Sequence, residues 1–536
     1  MKYVAGGTLR QNRTKDVGVG GNNLVVPQLY NVAVRSGDAF IPTFGGTTTN
    51  LPIYGNSTLG PILGSFNYDI LSRLVSVYGS VGFSYKGWAN VEFTGRNDWD
   101  SRLNEANRSF FYPAANASIV LSDAIPSLQG SIISYLKVRG AISKSGNVNL
   151  SPYSLAVTYS QPQNFPYGNI AGFSADGTVP DANLKPEFVN TKEVGLEVGF
   201  LKNRINVEAT YFNQNNTDQI LFVSQSSTTG YAFGLANAAD FKNYGVEMDL
   251  GLSPVINIGK GRIDLKINAT YNDNKVTRTL GDASVVVGGS NSFIQTSTSS
   301  PTANNIAVVG MPAFAFQLTD YARDPATGKV IVDAVTGMPS QAGSQIVKGR
   351  SIPLWVVGAT PSYTLGNFSF SMTWDYKGGH NFYSGLGTDM DFAGISERSA
   401  EYGRQRFVFP NSVYWDGTKY VDNKNIQVQD GNYGFWAAGN VNTAIATNYF
   451  ASAASIRLRE LNISYTLPNK WIAGTKFIKK VTIAAVGKNL FLFVPKSNQW
   501  GDPEFNYSSL GNTFGLASSF QSPASRLFGG SLLVQF

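Results

Sequence analysis

Between residues 193 and 211 the chain alternates apolar and polar positions twice, with a change of phase in the middle. Val194, Leu196, Val198 and Phe200 alternate with Glu193, Gly195, Glu197 and Gly199. After Leu201-Lys202-Asn203-Arg204, Ile205, Val207, Ala209 and Tyr211 alternate with Asn206, Glu208 and Thr210. Period-two alternation on both arms of a tight polar turn predicts a β-hairpin with one apolar and one polar face. The arms exceed the about 5–6 residues of an ordinary strand and approach the about 9–11 that cross a bilayer when tilted. On that reading Val194, Val198, Ile205 and Val207 face lipid, while Glu197, Asn206 and Glu208 face a lumen.

The same pattern recurs along the chain. Residues 2–10 read as a strand, and 13–65 as a Gly-, Thr-, Asn- and Pro-rich excursion with a short strand near 29–34. From Ser76 onward Val81, Phe83, Tyr85, Ala89, Val91 and Phe93 share one face, with Ser84, Lys86, Asn90, Glu92, Thr94 and Arg96 on the other. Further strands are expected from Phe110 to about Ser122, over 135–143 and over 241–252, the last answered by Ile263, Leu265, Ile267, Ala269 and Tyr271. A polar loop fills 279–305. Strands over 355–365 and 368–376 flank Gly366-Asn367, and 377–452 is a very long excursion before strands near 456–467, 478–493 and 526–536. The total is about 14 strands. Very short connections alternate with long irregular ones, as in an antiparallel transmembrane β-barrel with short turns on one rim and long loops on the other. A soluble sandwich would show shorter strands and more even loops. No propeller-like repeat is present.

Composition supports this all-β reading. Charged residues are 14% of the chain and aromatics 13%, with 56 glycines. Soluble proteins carry about 25% charged residues. No run of 18 apolar residues occurs, which excludes a membrane helix. The net charge of +7 is scattered in ones and twos rather than gathered into a stripe, so no nucleic-acid partner is expected. With no cysteine, disulfides and thiolate chemistry are absent.

Candidate chemistry is sparse. His380 is the only histidine, so no triad or histidine metal cluster can be assembled around it, and no metal or cofactor is assigned. Gly18-Val19-Gly20-Gly21 lacks the lysine and helix of a phosphate loop. Carboxylates such as Glu92, Glu197, Glu208, Glu247 and Asp249 fall on polar strand faces, and no catalytic constellation emerges. Aromatics are informative instead. Phe83, Phe93, Phe200, Tyr211, Tyr271, Trp374 and Tyr376 suit interfacial girdles. The 377–452 excursion is dense in rings, with Tyr414, Trp415, Tyr420 and Trp436 the candidates for stacking on a sugar or a partner. The alternative, that they fold the loop on itself, stays open. Asp389, Asp391, Asn411 and Asp416 are possible hydroxyl-binding groups that nothing selects over their neighbours.

Several motifs resemble those of SusC-like TonB-dependent transporters (the RagA/SusC family). They are Tyr85-Lys86-Gly87-Trp88, Arg96-Asn97-Asp98-Trp99, Phe111-Tyr112-Pro113, Asn183-Leu184-Lys185-Pro186-Glu187 and Asn243-Tyr244-Gly245-Val246-Glu247. Ile352-Pro353-Leu354-Trp355, 456–461, Ser464-Tyr465-Thr466-Leu467-Pro468, Lys488-Asn489-Leu490, Gly501-Asp502-Pro503-Glu504 and the terminal Phe536 continue the series. Their order across nearly the whole chain carries the resemblance.

The resemblance implies a barrel of about 22 strands with an internal plug and a segment that engages the TonB complex. Residues 1–536 match only the C-terminal part of such a barrel; no plug, TonB-contacting segment or signal peptide is visible, and a longer protein is expected. It further implies an outer-membrane importer of oligosaccharides or peptides, not an enzyme, working with a SusD-like surface lipoprotein. A closing strand with Phe528, Leu532, Val534 and Phe536 toward lipid is also expected. In the loop Asp324-Pro325-Ala326-Thr327-Gly328 relatives carry an acidic run that is reduced here to Asp324 and Asp333, so no calcium site is assigned. A passive porin-like channel and a surface adhesin are the alternatives.

Overall fold

The computed structural model describes residues 1–18, 66–130, 132–157, 159–160, 174–175, 177–231, 233–282, 285–286, 303–437, 442–474, 477–504, 515–517 and 524–536. The short strand expected near 29–34, the glycines after Gly18, and 287–302 of the polar loop lie outside these residues.

Among the described residues, fourteen long strands form one sheet in chain order. They are β1 (Lys2–Gly18), β2 (Phe66–Tyr85), β3 (Ala89–Asp100), β4 (Ser109–Val120), β5 (Ile133–Asn147), β6 (Glu187–Phe200) and β7 (Ile205–Ser224). The second half is β8 (Phe233–Ile258), β9 (Gly261–Thr279), β10 (Trp355–Leu365), β11 (Phe368–Gly378), β12 (Ser455–Thr466), β13 (Lys480–Phe493) and β14 (Leu527–Gln535). Every neighbour pair is antiparallel. β1 pairs β2 along its whole length, and among the described residues neither β1 nor β14 has a partner on its other edge. Among the described residues no helix is long and apolar enough to cross a membrane.

The short turns close for local reasons. At Lys86-Gly87 both residues have positive φ (48° and 81°), as a two-residue turn matching strand twist requires, and Trp88 N–H donates to Tyr85 O at 3.2 Å. The β6–β7 turn takes three successive left-handed residues, Leu201, Lys202 and Asn203.

Register keeps one face apolar from strand to strand. Gly140, Val194, Tyr211, Val246, Tyr271 and Trp355 are successive partners across β5 to β10. Phe368, Tyr465, Ile483 and Leu532 do the same across β11 to β14. Val198 pairs with Val207 and Ile205 with Phe200, so the four expected apolar positions share this face. Phe528, Leu532 and Val534 lie on it too, opposite Gly487, Ile483 and Val481, and the Phe536 ring stacks on Phe477 at 6.3 Å. Phe93, Val194, Tyr211 and Leu532 are exposed there. An exposed apolar band this continuous marks a surface that meets something other than water.

Two expectations are corrected. Several strands run farther toward the long-loop rim than alternation suggested: β1 continues to Gly18 and β2 begins at Phe66, so the first excursion starts after residue 18. Asn12, Arg13, Thr14 and Lys15 are polar on both faces, which erases the period-two signal while backbone pairing goes on. The long excursions are also not irregular loops. The strands Ala303–Ala307, Ala315–Leu318 and Ile346–Lys348 pair with one another, and Asn381–Ser384 pairs with Phe450–Ser452 and Leu516–Ala517. Ala303, Phe316, Leu318, Tyr383, Ala446, Tyr449 and Leu516 form one buried cluster. Excursions following β9, β11 and β13 therefore fold together as a cap at one rim.

Candidate functional site

The polar face of the wall is charged, and part of that charge is paired within it. Lys137, Glu197, Glu208 and Asp249 are successive partners across β5 to β8. Two carboxylates directly opposite each other repel, and two cations answer them. Lys137 Nζ lies 3.0 Å from Glu197, and Arg139 Nη2 lies 2.6 Å from Glu208 and donates to Thr210 Oγ1 at 2.7 Å. Arg139 reaches across Gly195, where a Cβ would come within 2.6 Å of Arg139 Nε; only glycine leaves that path open. Lys137, Arg139, Gly195 and Thr210, with Glu193, Gln214 and Glu247, line a cavity of about 590 Å³. Toward β2, Arg96 pairs with Asp98 at 2.7 Å, and Asp98 accepts a hydrogen bond from Tyr112 Oη at 2.6 Å.

A second cluster ties the cap to the wall. A bulge between the Thr373–Glu460 and Trp374–Leu458 pairs leaves Arg459 without a partner in the β11 ladder, so Arg457 and Arg459 stand together on the polar side. Arg457 lies 2.5 Å from Asp502 and 3.3 Å from Glu504, Lys377 lies 2.6 Å from Glu504, and Arg459 lies 2.7 Å from Asp375 and also bonds Glu504. Burial would raise the Glu504 carboxyl, but hydrogen bonds from Arg459 and Lys377 outweigh it and hold its pKa at about 2. Gly501-Asp502-Pro503-Glu504 was legible as a motif; its role as an ionic clasp was not. The available signal was two arginines spaced by one residue near a strand end, with two unassigned acids downstream. His380, just beyond β11, is pushed down to about 4, first by burial and then by Lys377.

Acid is expected to loosen this region in two stages. His380 is neutral when folded, so between pH 6.5 and about 4 the unfolded chain binds a proton that the folded chain does not, and stability falls as pH drops through that window. Glu504 contributes stability above its ordinary 4.5 that is lost toward about 2. Thermal midpoints against pH should show both stages, and His380→Gln should remove only the first.

Within the cap, Asp391 is fully buried. It accepts hydrogen bonds from Ser396 Oγ at 2.5 Å and Tyr449 Oη at 2.8 Å, and pairs with Arg398 at 2.6 Å. The Arg398 guanidinium lies 5.0–5.3 Å from the rings of Tyr449, Trp436 and Trp500. Burial, reinforced by Asp391, holds the Tyr449 hydroxyl well above its ordinary pKa.

The four loop candidates separate. Trp436 is only 8% exposed and packs with Phe407, Val428 and Phe435, so it serves the cap interior. Tyr414 is half-buried in the strand Ser412–Trp415, which pairs with Tyr420–Asp422. Trp415 (49% exposed) and Tyr420 (37%) meet edge to face at 5.1 Å on the surface of that hairpin. Asp416 accepts backbone hydrogen bonds from Thr418 and Lys419 and so shapes the hairpin turn. Asn411 takes a left-handed φ of 49°, and Asp389 lies in the helix Gly385–Phe392. Asp324 and Asp333 likewise cap their own turns through Thr327 and Thr336.

The family model described as TonB dependent receptor-like, beta-barrel matches residues 3–490. TonB-dependent receptor P39 of Formosa agariphila is 20% identical over 460 residues, covering 78% of this chain and 42% of that protein. TonB-dependent receptor SusC of Bacteroides thetaiotaomicron is 24% identical over 321 residues, covering 57% and 31%. The structure of the RagAB peptide importer in the closed-closed state superposes with a TM-score of 0.70 at 17% identity, covering 100% of this chain and 53% of that one. The chain thus spans less than half the length of these curated relatives. Fourteen meandering strands, short turns on one rim, a folded cap on the other and a family match over nearly the whole chain agree: the protein belongs to the TonB-dependent receptor β-barrels of the outer membrane, and is similar to their SusC-like members.

Proposed function

We propose that the chain forms part of the wall and the extracellular mouth of a TonB-driven importer that takes up oligosaccharides or peptides together with a SusD-like surface lipoprotein. The observation that carries this reading is the cap. A porin needs only a wall, whereas here three excursions share a buried core and are clasped to the polar face through Glu504 and Arg459. A fixed mouth of this kind suits a lid and a selected substrate. The apolar band bearing Val194, Val198, Ile205 and Val207 faces lipid, as does the stripe of Phe528, Leu532, Val534 and Phe536. The charged row from Lys137 to Asp249 faces the lumen. No covalent step is assigned to any residue.

Trp415 and Tyr420 are the contact surface proposed for substrate or lipoprotein, because they present an exposed edge-to-face pair of rings together on one cap hairpin. Replacing both by alanine in the native full-length polypeptide is expected to lower uptake at least tenfold, since stacking contributes about 1–3 kcal/mol per ring by analogy with base stacking. The heat-stable barrel band on a gel should stay unchanged. Uptake at the wild-type rate would reduce the pair to surface decoration.

A further inference from the structure

We infer that the wall carries a binding belt for the phosphorylated headgroups of outer-leaflet glycolipids, built by Lys144, Lys192, Lys242 and Lys275 on the apolar face just beyond the lipid band. The inference rests on the outer-membrane placement of that band. In β5 the last apolar position before the long-loop rim is Ile142 and the next on the same face is Lys144. In β6 Val194 is followed toward that rim by Lys192 and Asn190, and in β7 Tyr211 is followed by Asn213 and Asn215. In β8 Val246 is followed by Tyr244 and Lys242, and in β9 Tyr271 by Asp273 and Lys275.

Register joins these positions into two rows. Lys144, Asn190, Asn215, Lys242 and Lys275 are successive partners across five strands. One row nearer the membrane, Ile142, Lys192, Asn213, Tyr244 and Asp273 are partners in turn. Asp273 is the only carboxylate in either row, and it is already engaged by Arg350 at 2.7 Å and Tyr244 Oη at 3.0 Å. Among the described residues none of the four lysines has a carboxylate within 4.0 Å; Lys144 Nζ rests 3.7 Å from the Phe188 ring. Lys242 and Lys275 stand directly opposite each other, an arrangement that repels unless an anion sits between them.

Cations and amide donors placed immediately above a lipid-facing aromatic row suit a phosphate whose acyl chains lie along that row. A headgroup contact of this kind is worth about fivefold in partitioning for each cation. The native full-length protein is reconstituted into vesicles containing a phosphorylated outer-leaflet glycolipid, or the same lipid after enzymatic dephosphorylation. The wild type should melt higher in the phosphorylated vesicles and, extracted in mild detergent, retain that lipid at least about fivefold better. Replacing all four lysines by glutamine should abolish both differences, and replacing them by arginine should preserve them. Equal behaviour of the wild type in the two vesicles would overturn the belt without any variant, as would a glutamine variant that keeps the difference. Reproduction of the shift by inorganic phosphate added to dephosphorylated vesicles would overturn the lipid assignment. Failure of the wild type to insert into either vesicle would overturn the membrane placement itself, which separates the two claims.

Discussion

Replacing Arg398 by alanine is expected to unfold the cap while leaving the wall assembled. Arg398 is the sole cation within reach of Asp391 among the described residues, and Asp391 is fully enclosed. Removing one partner of a buried ion pair costs about 3–5 kcal/mol, because the remaining charge stays desolvated. The three rings around the guanidinium would also lose the cation they enclose, at about 0.5–2 kcal/mol each. Hydrogen exchange or limited proteolysis on the full-length protein should therefore show the segments around 385–400, 433–437 and 446–450 opening, with β6 and β7 still protected. Removing both charges, as Asp391→Leu with Arg398→Met, should recover much of the loss, since an apolar replacement of a buried pair is often neutral. A double variant as unstable as Arg398→Ala would contradict the charge argument.

An arginine at Val207 is expected to impair folding into lipid far more than one at the adjacent Asn206. The two positions differ by one residue of depth and by the face they occupy, Val207 opposite Val198 and Asn206 opposite Gly199. A cation on the lipid face costs about 2–4 kcal/mol near the midplane and about 0–1 near the interfaces. Leu196→Arg, one row nearer the middle of the band, should cost more than Val207→Arg. Folding yields into lipid vesicles across the three variants give the comparison. Equal yields for Val207→Arg and Asn206→Arg would contradict the lipid assignment of that face.

The wall was largely legible in the sequence, and the cap was not. The 193–211 hairpin appears with the expected turn, face and register, because alternation is imposed by having one solvent on each side of a strand. The same logic located β10, β11 and the apolar stripe of β14. It failed where both sides of a strand meet water, as at 12–15, where alternation disappears while pairing continues. It failed again in the cap. There Phe316 and Leu318, Tyr383 and Tyr449, and Leu516 come from three excursions widely separated in sequence, so no local period announces their meeting. The aromatic density between 377 and 452 had two readings, and both hold for different residues. Trp436 is enclosed and Trp415 is presented. Nor does a chain-order reading reveal a bulge, so the convergence of Arg457 and Arg459 on Glu504 was hidden.

Energy-coupled uptake by the native polypeptide that carries this chain is the measurement closest to the proposed function. Cells expressing it are supplied with labelled oligosaccharide or peptide pools, with the TonB complex intact or disabled. The purified protein is examined in parallel in planar bilayers. Uptake that collapses without TonB, together with bilayers that show no steady conductance, is the expected result. Uptake that persists without TonB, together with a steadily open pore, would contradict an importer and establish a passive channel.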